Sequence, residues 1–352
     1  MNNPKIKAAL SQELRIVRDP TVAEIAARAG VGTATVDRIL NERPGVREPT
    51  RRRVLAALEE LRSDNTKFED TKAKTLRINF VTDSGKSFHE TLEVAVKQSV
   101  GRQPDIVAQF EAVTTARVDP IKLANILERS AESADAMIVV AREDLIINRV
   151  IRSIVARGVP VICLTTDLPA SGRLAYVGND QTASGATAAY LMGQAVRNKE
   201  GNILLVYSAP YRVQEERELG FRRVLRAEYP QLSVDERVNS NDDSDFVYEN
   251  VVRYVHDHGP PVGIYNVAAG NIGIGKALKE NSLDGKTVFI GHELNSNSRL
   301  LLETGVMNFL LGHDVVSEVE QAISQARKAI GKAPFAPTPF SKIRIYTKYS
   351  CN

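Results

Sequence analysis

The most restrictive feature of this sequence is a regular alternation of short apolar runs with longer amphipathic stretches, which begins at Leu76. The runs are rich in Val, Ile and Leu and predict strands at 76–82, 105–110, 136–140, 159–164, 174–177, 202–207, 262–265 and 287–290. Amphipathic segments at 121–133, 145–157, 183–196 and 215–228 predict helices between them. This order predicts parallel sheets covered by helices. Because the strands are too many for one compact sheet of this type, we expect two lobes, with a ligand crevice at the carboxyl ends of the strands.

The first sixty residues have a different pattern, typical of three short helices. Thr21 and Glu24 form a capping-box pattern, in which each residue satisfies an unpaired helix amide. The first helix ends at Gly30, a second is predicted from about Thr33 to Leu40, and a third from about Pro49 to Leu61. Two helices joined by a tight turn and closed by a third predict a helix-turn-helix, whose second helix enters the DNA major groove. A three-helix protein-interaction module or an ordinary helical cap is the alternative.

The charge distribution favours a nucleic-acid contact at the N-terminal end. Residues 1–62 hold two Lys and ten Arg against two Asp and six Glu, a net charge of +4, whereas residues 63–352 together carry about −1. A local positive excess favours contact with phosphates. A merely solvated basic surface would have the same composition, so the charge alone does not decide between the two.

Other features of the composition argue against several protein classes. The sequence has no run of about 18 uncharged apolar residues, which a membrane span needs, and residues 1–20 do not have the pattern of a secretory signal. The two cysteines, Cys163 and Cys351, fit a reducing compartment better than a disulfide framework, so we expect a cytoplasmic protein. Catalytic motifs and zinc-ligand spacings are absent from the sequence. Gly270–Gly275 lacks the spacing of a phosphate-binding glycine loop, so we expect no enzyme, metal or cofactor.

The N-terminal module resembles the DNA-binding module of the lactose-repressor (LacI/GalR) family. The stretches that match in order and spacing are 21–31, 34–41, 44–46 and 50–61. The resemblance implies that Thr33, Ala34 and Arg38 lie at base edges, and that Thr35 and Asn41 contact phosphates. Arg38 is the main candidate for direct readout, because a guanidinium fork matches the O6 and N7 acceptors of guanine.

Two departures from that family bear on the DNA contact. Asp37 stands where the family often has serine near phosphate, so its carboxylate needs a partner such as Arg38 or a cytosine amine. The family often has a short hinge helix after this module, whose leucines enter the minor groove. Residues 63–74 are instead polar and mixed in charge, with Phe68 their only large apolar side chain. We therefore expect a flexible connector and a weak or absent hinge-helix kink.

The longer region looks like the sensor domain of the same family, which is similar to periplasmic sugar-binding proteins. The matching stretches are 159–167, 176–180, 217–221, 263–266 and 289–294. The resemblance implies a cleft for a small polar effector, a sugar or polyol. The strand-end candidates to bind it are Phe88, His89, Asp167, Arg217, Asn266, Glu293 and His313.

Three of these candidates have a clear chemical role. Phe88 would stack on the apolar face of a pyranose or inositol, Asp167 would accept from two vicinal hydroxyls, and Asn266 would both donate and accept. Ordinary alternatives remain, since Phe88 also suits a core and Asp167 a turn.

The roles of the other four candidates are less defined by their chemistry. Arg217 also suits a helix surface, and His89 suits a solvated position as well as the pocket. Glu293 and His313 stand where the family and its receptors often have aspartate and glutamine, so the identity of the effector stays open.

The sequence thus predicts an N-terminal all-α helix-turn-helix headpiece and an α/β two-lobed periplasmic-binding-protein-like domain. The predicted parts are an extension (1–19), the DNA-binding domain (20–62), a linker (63–75) and an effector-binding and dimerisation domain (76–352). Lobe 1 would take about 76–177 and 313–330, and lobe 2 about 178–312 and 334–352.

The functional interpretation is a DNA-binding regulator, more specifically a repressor, controlled by a sugar or polyol. A homodimer, or a tetramer, would bind a pseudo-palindromic double-stranded operator and no membrane. The alternative is a cytosolic carbohydrate-binding receptor without DNA regulation. A pure solute receptor outside the cytoplasm would need an export signal and would leave the N-terminal helices without a role.

Overall fold

The computed structural model describes residues 21–41, 43, 45–70, 75–114, 119–196, 199–234, 237–332 and 338–351, and of residues 62–70 only the backbone. The chain divides into two compact units, which meet in the sequence between Thr75 and Leu76. We call the first unit the headpiece and the second the sensor domain. The predicted extension at 1–19 lies outside the described residues. Within the part of the chain that is described, no helix is both long and apolar enough to span a bilayer.

Three helices build the described part of the headpiece: α1 (Val22–Ala29), α2 (Thr33–Leu40) and α3 (Glu48–Asp70). The predicted capping box is present, because the Thr21 hydroxyl accepts from the Glu24 amide and the Glu24 carboxylate accepts from the Thr21 amide at 2.7 Å. Gly30 ends α1 at a φ of 64°, a left-handed conformation in which a side chain is disfavoured.

One small core joins the three headpiece helices. Its buried side chains lie one helical turn apart on a single face of each helix, and they are Ile25, Ala26, Ala29, Val36, Ile39, Val54 and Ala57. Because α2 buries Val36 and Ile39, the opposite face of α2 is exposed to solvent. This arrangement confirms the predicted helix-turn-helix headpiece.

The third helix is longer than the sequence indicates. The expected end lies near Leu61 and the expected connector over 63–75, whereas α3 continues unbroken to Asp70. Residues 62–70 contain neither glycine nor proline, the residues that most strongly end a helix. The expectation of a flexible connector is therefore wrong for residues 63–70. Its remaining positions at 71–74 lie outside the described residues.

The sensor domain alternates strands and helices along the chain. Its strands are β1 (Leu76–Ser84), β2 (Ile106–Thr114), β3 (Ala136–Val140), β4 (Val161–Leu164), β5 (Ala175–Val177), β6 (Gly201–Tyr207), β7 (Leu232–Ser233), β8 (Arg237–Asn239), β9 (Gly263–Asn266), β10 (Val288–His292), β11 (Phe309–Gly312) and β12 (Arg344–Tyr346). Its helices are α4 (Lys86–Gly101), α5 (Pro120–Glu132), α6 (Leu145–Ala156), α7 (Gln181–Val196), α8 (Arg212–Glu228), α9 (Ser244–His258), α10 (Asn271–Glu280), α11 (Ser296–Glu303) and α12 (Val315–Ile330). The predicted α/β class is confirmed, although the short strands β7, β8, β11 and β12 were not expected.

The strands form two separate sheets, one in each lobe. The lobe 1 sheet has the order β2-β1-β3-β4-β5, and all its neighbouring strands are parallel. The lobe 2 sheet has the order β12-β11-β10-β9-β6, with β7 and β8 both paired to the outer edge of β6. The β12 strand is antiparallel to β11, while the other pairs are parallel. Each sheet has an apolar core on both faces.

The chain passes between the lobes three times. It leaves lobe 1 after β5, returns after β11 so that α12 packs on the lobe 1 core, and passes again to lobe 2 before β12. The first and third crossings are bonded to each other, because the Ser341 amide donates to the Gly178 carbonyl at 2.9 Å. The second crossing is connected to the third through Glu318. The Glu318 carboxylate accepts from the Ser341 hydroxyl and from His313 Nδ1, the latter at 2.7 Å.

Candidate functional site

A cavity lies between the two lobes of the sensor domain, at the carboxyl ends of the strands. Lobe 1 contributes Asp83, Ser84, Gly85, Phe88, Val140, Thr165 and Thr166 to its wall. Lobe 2 contributes Tyr211, Val213, Gln214, Arg217, Asp242, Val267, Ala268, Ala269 and Glu293. The mixture of apolar walls with a few charged groups is typical of small-molecule sites. We call this space the effector cavity.

The lobe 1 side of the cavity is organised around Asp83, near the end of β1. Its fully buried carboxylate accepts from Arg142, with Nε to Oδ2 at 2.7 Å and Nη2 to Oδ1 at 3.1 Å. The Tyr211 hydroxyl of lobe 2 donates to Asp83 Oδ1 at 2.7 Å. Such a charge-assisted, two-point pair fixes orientation as well as charge. Asp83 therefore connects the two lobes while its negative charge is balanced.

The lobe 2 side is organised around Arg217 of α8, which is almost completely buried. Its Nε donates to Gln181 Oε1 at 2.9 Å and its Nη1 to the Val267 carbonyl at 3.0 Å. Burial lowers the pKa of Arg217, yet an arginine keeps its proton in proteins. The guanidinium is thus held as a fixed cation at the cavity wall.

Two glycines determine where Arg217 lies, because they let α7 and α8 cross at backbone contact. A Cβ at Gly185 would lie 1.8 Å from the Arg217 carbonyl oxygen, and a Cβ at Gly220 would lie 2.0 Å from the Thr182 carbonyl oxygen. No side chain fits at such distances. The close crossing brings the Arg217 side chain to the cavity instead of to solvent.

Glu293, directly after β10, places a half-buried carboxylate in the cavity. No hydrogen bond or ion pair to this carboxylate is found among the residues that the structure describes. Burial raises the pKa of Glu293, and the nearby Arg217 partly opposes that effect. A carboxylate without a fixed partner at a cavity wall is free to accept from a ligand hydroxyl.

Three non-glycine residues of the cavity wall have positive φ angles: Thr165 at 62°, Asp242 at 54° and Glu293 at 71°. Each follows the end of a strand, β4, β8 and β10 respectively. Such conformations cost about 1–3 kcal/mol each and persist where surrounding contacts enforce them, often at binding sites. At Thr165 the carbonyl is held by Tyr176 at 3.0 Å and by Gln181 at 3.2 Å.

The two lobes touch each other around the rim of the cavity. Gly85 lies so close to Asp242 that a Cβ on Gly85 would stand 2.9 Å from the Asp242 Cβ. Asn295 donates to the Ser87 hydroxyl at 2.8 Å across the same gap. The Val213 amide donates to the Thr166 hydroxyl at 3.3 Å on the far side. Direct contacts between the lobes therefore border the cavity.

Of the seven predicted effector residues, the structure places Phe88, Arg217 and Glu293 in the wall of the cavity. Phe88 also packs in the lobe 1 core. His89 follows it in α4, is buried, and has no hydrogen-bond partner for Nε2 among the described residues. Burial lowers the pKa of His89 although neighbouring carboxylates oppose this, which favours the neutral ring.

The other three predicted residues do not line the cavity and are held by nearby groups. Asp167 forms a two-point ion pair with Arg173 at 2.6 and 2.7 Å. The Asn266 side chain accepts from the Ala268 amide at 3.0 Å. His313 pairs with Glu318 beside the second lobe crossing; burial alone would lower the pKa of His313, but the Glu318 carboxylate more than offsets this and raises it. Their assignment to the effector stays a prediction.

Several wall residues were missed by the sequence analysis, notably Asp83, Tyr211, Gln214 and Asp242. Asp83 carried a usable signal, because it stands at the end of the first strand and strand ends are where such folds bind ligands. Tyr211 lies in the loop between β6 and α8, and Asp242 in the loop between β8 and α9. Loops have no periodic sequence pattern, so the sequence did not mark these two residues.

In the headpiece, the predicted DNA-contact residues share the surface of α2 opposite the core. Thr33, Ala34, Arg38 and Asn41 are exposed, and Thr35 and Asp37 are partly exposed. The carboxylate of Asp37 does have a partner, but not the one considered from the sequence: Asn41 Nδ2 donates to Asp37 Oδ1 at 2.9 Å, and Arg43 Nη1 lies 3.4 Å from Asp37 Oδ2. We call this surface the recognition face.

Comparisons with known proteins agree with both units. The family model of bacterial regulatory proteins, lacI family, matches residues 21–62, and that of the periplasmic binding protein domain matches residues 80–333. A comparison with curated proteins found no match.

Among solved structures, an ABC transporter solute binding protein from Burkholderia graminis in complex with D-arabinose is similar, with a TM-score of 0.72 and 20% identity over 79% of this chain and 97% of that chain. The glucose-galactose binding protein GanP from Geobacillus stearothermophilus has a TM-score of 0.70 and 18% identity over 78% and 98%. A periplasmic solute binding protein from Actinobacillus succinogenes with bound D-allose has a TM-score of 0.69 and 18% identity, over 78% of this chain and 99% of that chain. At these identities the similarity shows the fold. The chain belongs to the periplasmic binding protein domain family over residues 80–333, and it joins this sensor domain to a helix-turn-helix DNA-binding module of the lacI family of bacterial regulatory proteins at residues 21–62.

Proposed function

We propose that this regulator is a repressor whose affinity for its operator is set by a sugar or polyol bound in the effector cavity. The observation that carries the proposal is the cavity itself, which lies between the lobes and is lined by side chains suited to hydroxyl groups. An effector that contacts both lobes favours the closed arrangement, and it can shift the equilibrium only by its difference in affinity for the two arrangements.

The chemistry of the wall supports a polyhydroxylated effector. Glu293 accepts hydroxyl protons, Arg217 donates from a fixed position, and Phe88 offers an aromatic surface for the C–H face of a sugar ring. Similar proteins of this fold hold D-arabinose and D-allose, which are monosaccharides.

The recognition face supports the DNA-binding half of the proposal. A homodimer would present two copies of α2 to the half-sites of a pseudo-palindromic operator. Arg38 is proposed to read a guanine, with Thr33 and Ala34 against neighbouring base edges. Thr35 is proposed to contact a phosphate. Asn41 is proposed to contact another by turning toward the DNA its side-chain amide, which in the free protein donates to Asp37.

A thermal-shift screen of the purified protein against pentoses, hexoses and inositols tests the effector half. A ligand at about 100 times its Kd stabilises the folded state by roughly 2.7 kcal/mol, and Phe88→Leu should reduce the shift. Duplexes selected from a random pool then test the DNA half, and the effector should weaken their binding. If every compound leaves the melting temperature unchanged, the cavity assignment fails.

The alternative, a carbohydrate-binding receptor without DNA regulation, predicts a different pair of results. It requires an effector-dependent thermal shift together with no salt-sensitive preference for any selected duplex over random competitor. If the effector tightens operator binding instead, the regulator is corepressed and the repressor-induction part of the proposal is wrong.

A further inference from the structure

A cation from outside α2, the guanidinium of Arg43, lies beside the recognition face. Arg43 lies two residues beyond the end of the helix region at Asn41, yet its guanidinium returns to α2, with Nη1 3.4 Å from Asp37 Oδ2. Both side chains are substantially exposed, Arg43 by 64% and Asp37 by 48%. A positive group is therefore held beside the surface that faces DNA.

The backbone fixes Arg43 as well. Its amide donates to the Arg38 carbonyl at 2.7 Å, which satisfies one of the unpaired carbonyls at the end of α2. A cation at a helix C-terminus is also stabilised by the helix dipole. Two independent tethers, one through the main chain and one through the side chain, thus limit where the guanidinium can lie.

Asn41 completes the arrangement and explains why Asp37 is tolerated on a DNA-facing surface. Asn41 Nδ2 donates to both the Asp37 carbonyl, at 3.0 Å, and Asp37 Oδ1, at 2.9 Å. Each carboxylate oxygen of Asp37 therefore has a neighbouring donor, Oδ1 from Asn41 and Oδ2 from Arg43. A carboxylate engaged in this way is poorly placed to accept from a cytosine amine, which is the base contact that its charge alone would suggest.

We propose that Arg43 contacts a DNA phosphate and that Asp37 is a positioning residue which holds Arg43 for that contact. The second helix of this motif approaches the bases by its N-terminal end, so a group beyond its C-terminal end lies nearer the sugar-phosphate backbone. An arginine at that place binds phosphate and carries no sequence information. The proposal rests on the DNA-binding function and adds one residue to each recognition face.

Binding of the full-length protein to two duplexes, one selected from a random pool and one of random sequence, tests the proposal over a range of salt concentrations. Loss of one phosphate contact reduces the slope of log K against log salt by about 0.9, so a dimer that loses one contact on each recognition face should lose about 1.8. Arg43→Ala should show this reduction on both duplexes and weaken binding about tenfold at low salt. Arg43→Lys, which keeps the charge, should retain most of the slope.

Arg28→Ala is the matched control, because it removes a headpiece arginine that is paired with Glu60 on α3 at 3.2 Å. It should leave the slope unchanged. The positioning role of Asp37 is tested by a double-mutant cycle, in which Arg43→Ala should cost clearly less in an Asp37→Ala background than in the wild type. The comparison isolates the pair, because any gain from removing the Asp37 charge itself appears in both arms.

An unchanged slope for Arg43→Ala overturns the phosphate contact, and so does a loss confined to the selected duplex, which would indicate base readout. An equal cost of Arg43→Ala in both backgrounds overturns the role of Asp37. These failures are distinct from failure of the proposed function, in which the wild-type protein itself shows no preference for a selected duplex. If the wild type binds neither duplex, the proposed function and the phosphate contact of Arg43 are both wrong.

Discussion

The recognition face and the effector cavity differ in exposure and in backbone conformation. The recognition face is exposed, and within the described part of the headpiece positive φ angles occur only at Gly30 and Gly45. The cavity wall is largely buried, and it contains three non-glycine residues with positive φ, Thr165, Asp242 and Glu293. Side chains on the first surface are supported by a relaxed backbone and can change without disturbing the fold. Side chains of the cavity wall are buried and lie partly on strained backbone, so a change that affects ligand binding there also affects stability.

The largest expected effect comes from Arg217→Ala, which should damage both effector binding and stability. It leaves Gln181 Oε1 and the Val267 carbonyl without their donor, and unsatisfied buried groups of this kind cost about 1–3 kcal/mol each. We expect the free energy of unfolding in urea to fall by roughly 2–4 kcal/mol, in line with a broken buried charge network. If Arg217→Ala is as stable as the wild type, the cavity is not coupled to the fold in the way described.

Arg38→Ala should show the opposite combination on the recognition face. The exposed side chain contributes little to folding, so the urea midpoint should stay unchanged. Specific operator affinity should fall by about 1–3 kcal/mol, with relaxed preference at one base pair. Fluorescence anisotropy on a set of single-base operator variants measures this, and a uniform loss across all variants would count against base readout by Arg38.

Gly85→Ala separates cavity closure from stability. The glycine has φ −67° and ψ 152°, which alanine adopts freely, so the added methyl group matters only through its approach to Asp242 at 2.9 Å. We expect effector affinity to fall about tenfold, which is about 1.4 kcal/mol, with little change in the melting temperature of the free protein. Gly101→Ala, where a Cβ would meet nothing within 4 Å, is the control and should bind the effector normally. Equal behaviour of the two variants would refute the close approach of the lobes.

The smallest effect concerns the pH dependence of stability at Glu293. Because burial raises the folded-state pKa of Glu293 above its ordinary 4.5, this group favours folding below that pH, and the contribution is lost as pH rises through the folded pKa. Glu293→Gln removes the titration. The variant should therefore gain stability relative to the wild type as pH increases above about 4.5, and urea denaturation from pH 4 to 7 would reveal this. A difference that does not vary with pH would show that Glu293 ionises as it would in water.

The sequence predicts the headpiece well because its determinants are local. The Thr21–Glu24 capping box, Gly30 and the apolar spacing of α2 all act within a few residues, and the resulting exposed face follows from helical periodicity. The partner of Asp37 was not predictable in the same way. Arg43 lies beyond the end of α2, so helical periodicity does not predict its distance from Asp37.

The effector cavity was predictable in location but only partly in composition. Strand ends such as Glu293 were found because a pattern marks where a strand stops. Tyr211 and Asp242 come from loops whose contacts with Asp83 and Gly85 join residues more than a hundred positions apart. Asp167 shows the reverse case, since a strand-end carboxylate was neutralised by Arg173 six residues later. No spacing rule distinguishes a carboxylate that meets a ligand from one that meets a neighbouring arginine.

The bonds among the three lobe crossings have a consequence for how the sensor domain moves. Ser341 joins the first crossing at Gly178 to Glu318, and Glu318 holds His313 on the second. Because the three crossings are bonded to one another, we expect them to bend together when the lobes move, with less sliding or independent twisting than unlinked segments would allow. If an effector closes the cavity, its occupancy would then be read out as one hinge angle, and two values of that angle would be enough to signal its presence or absence.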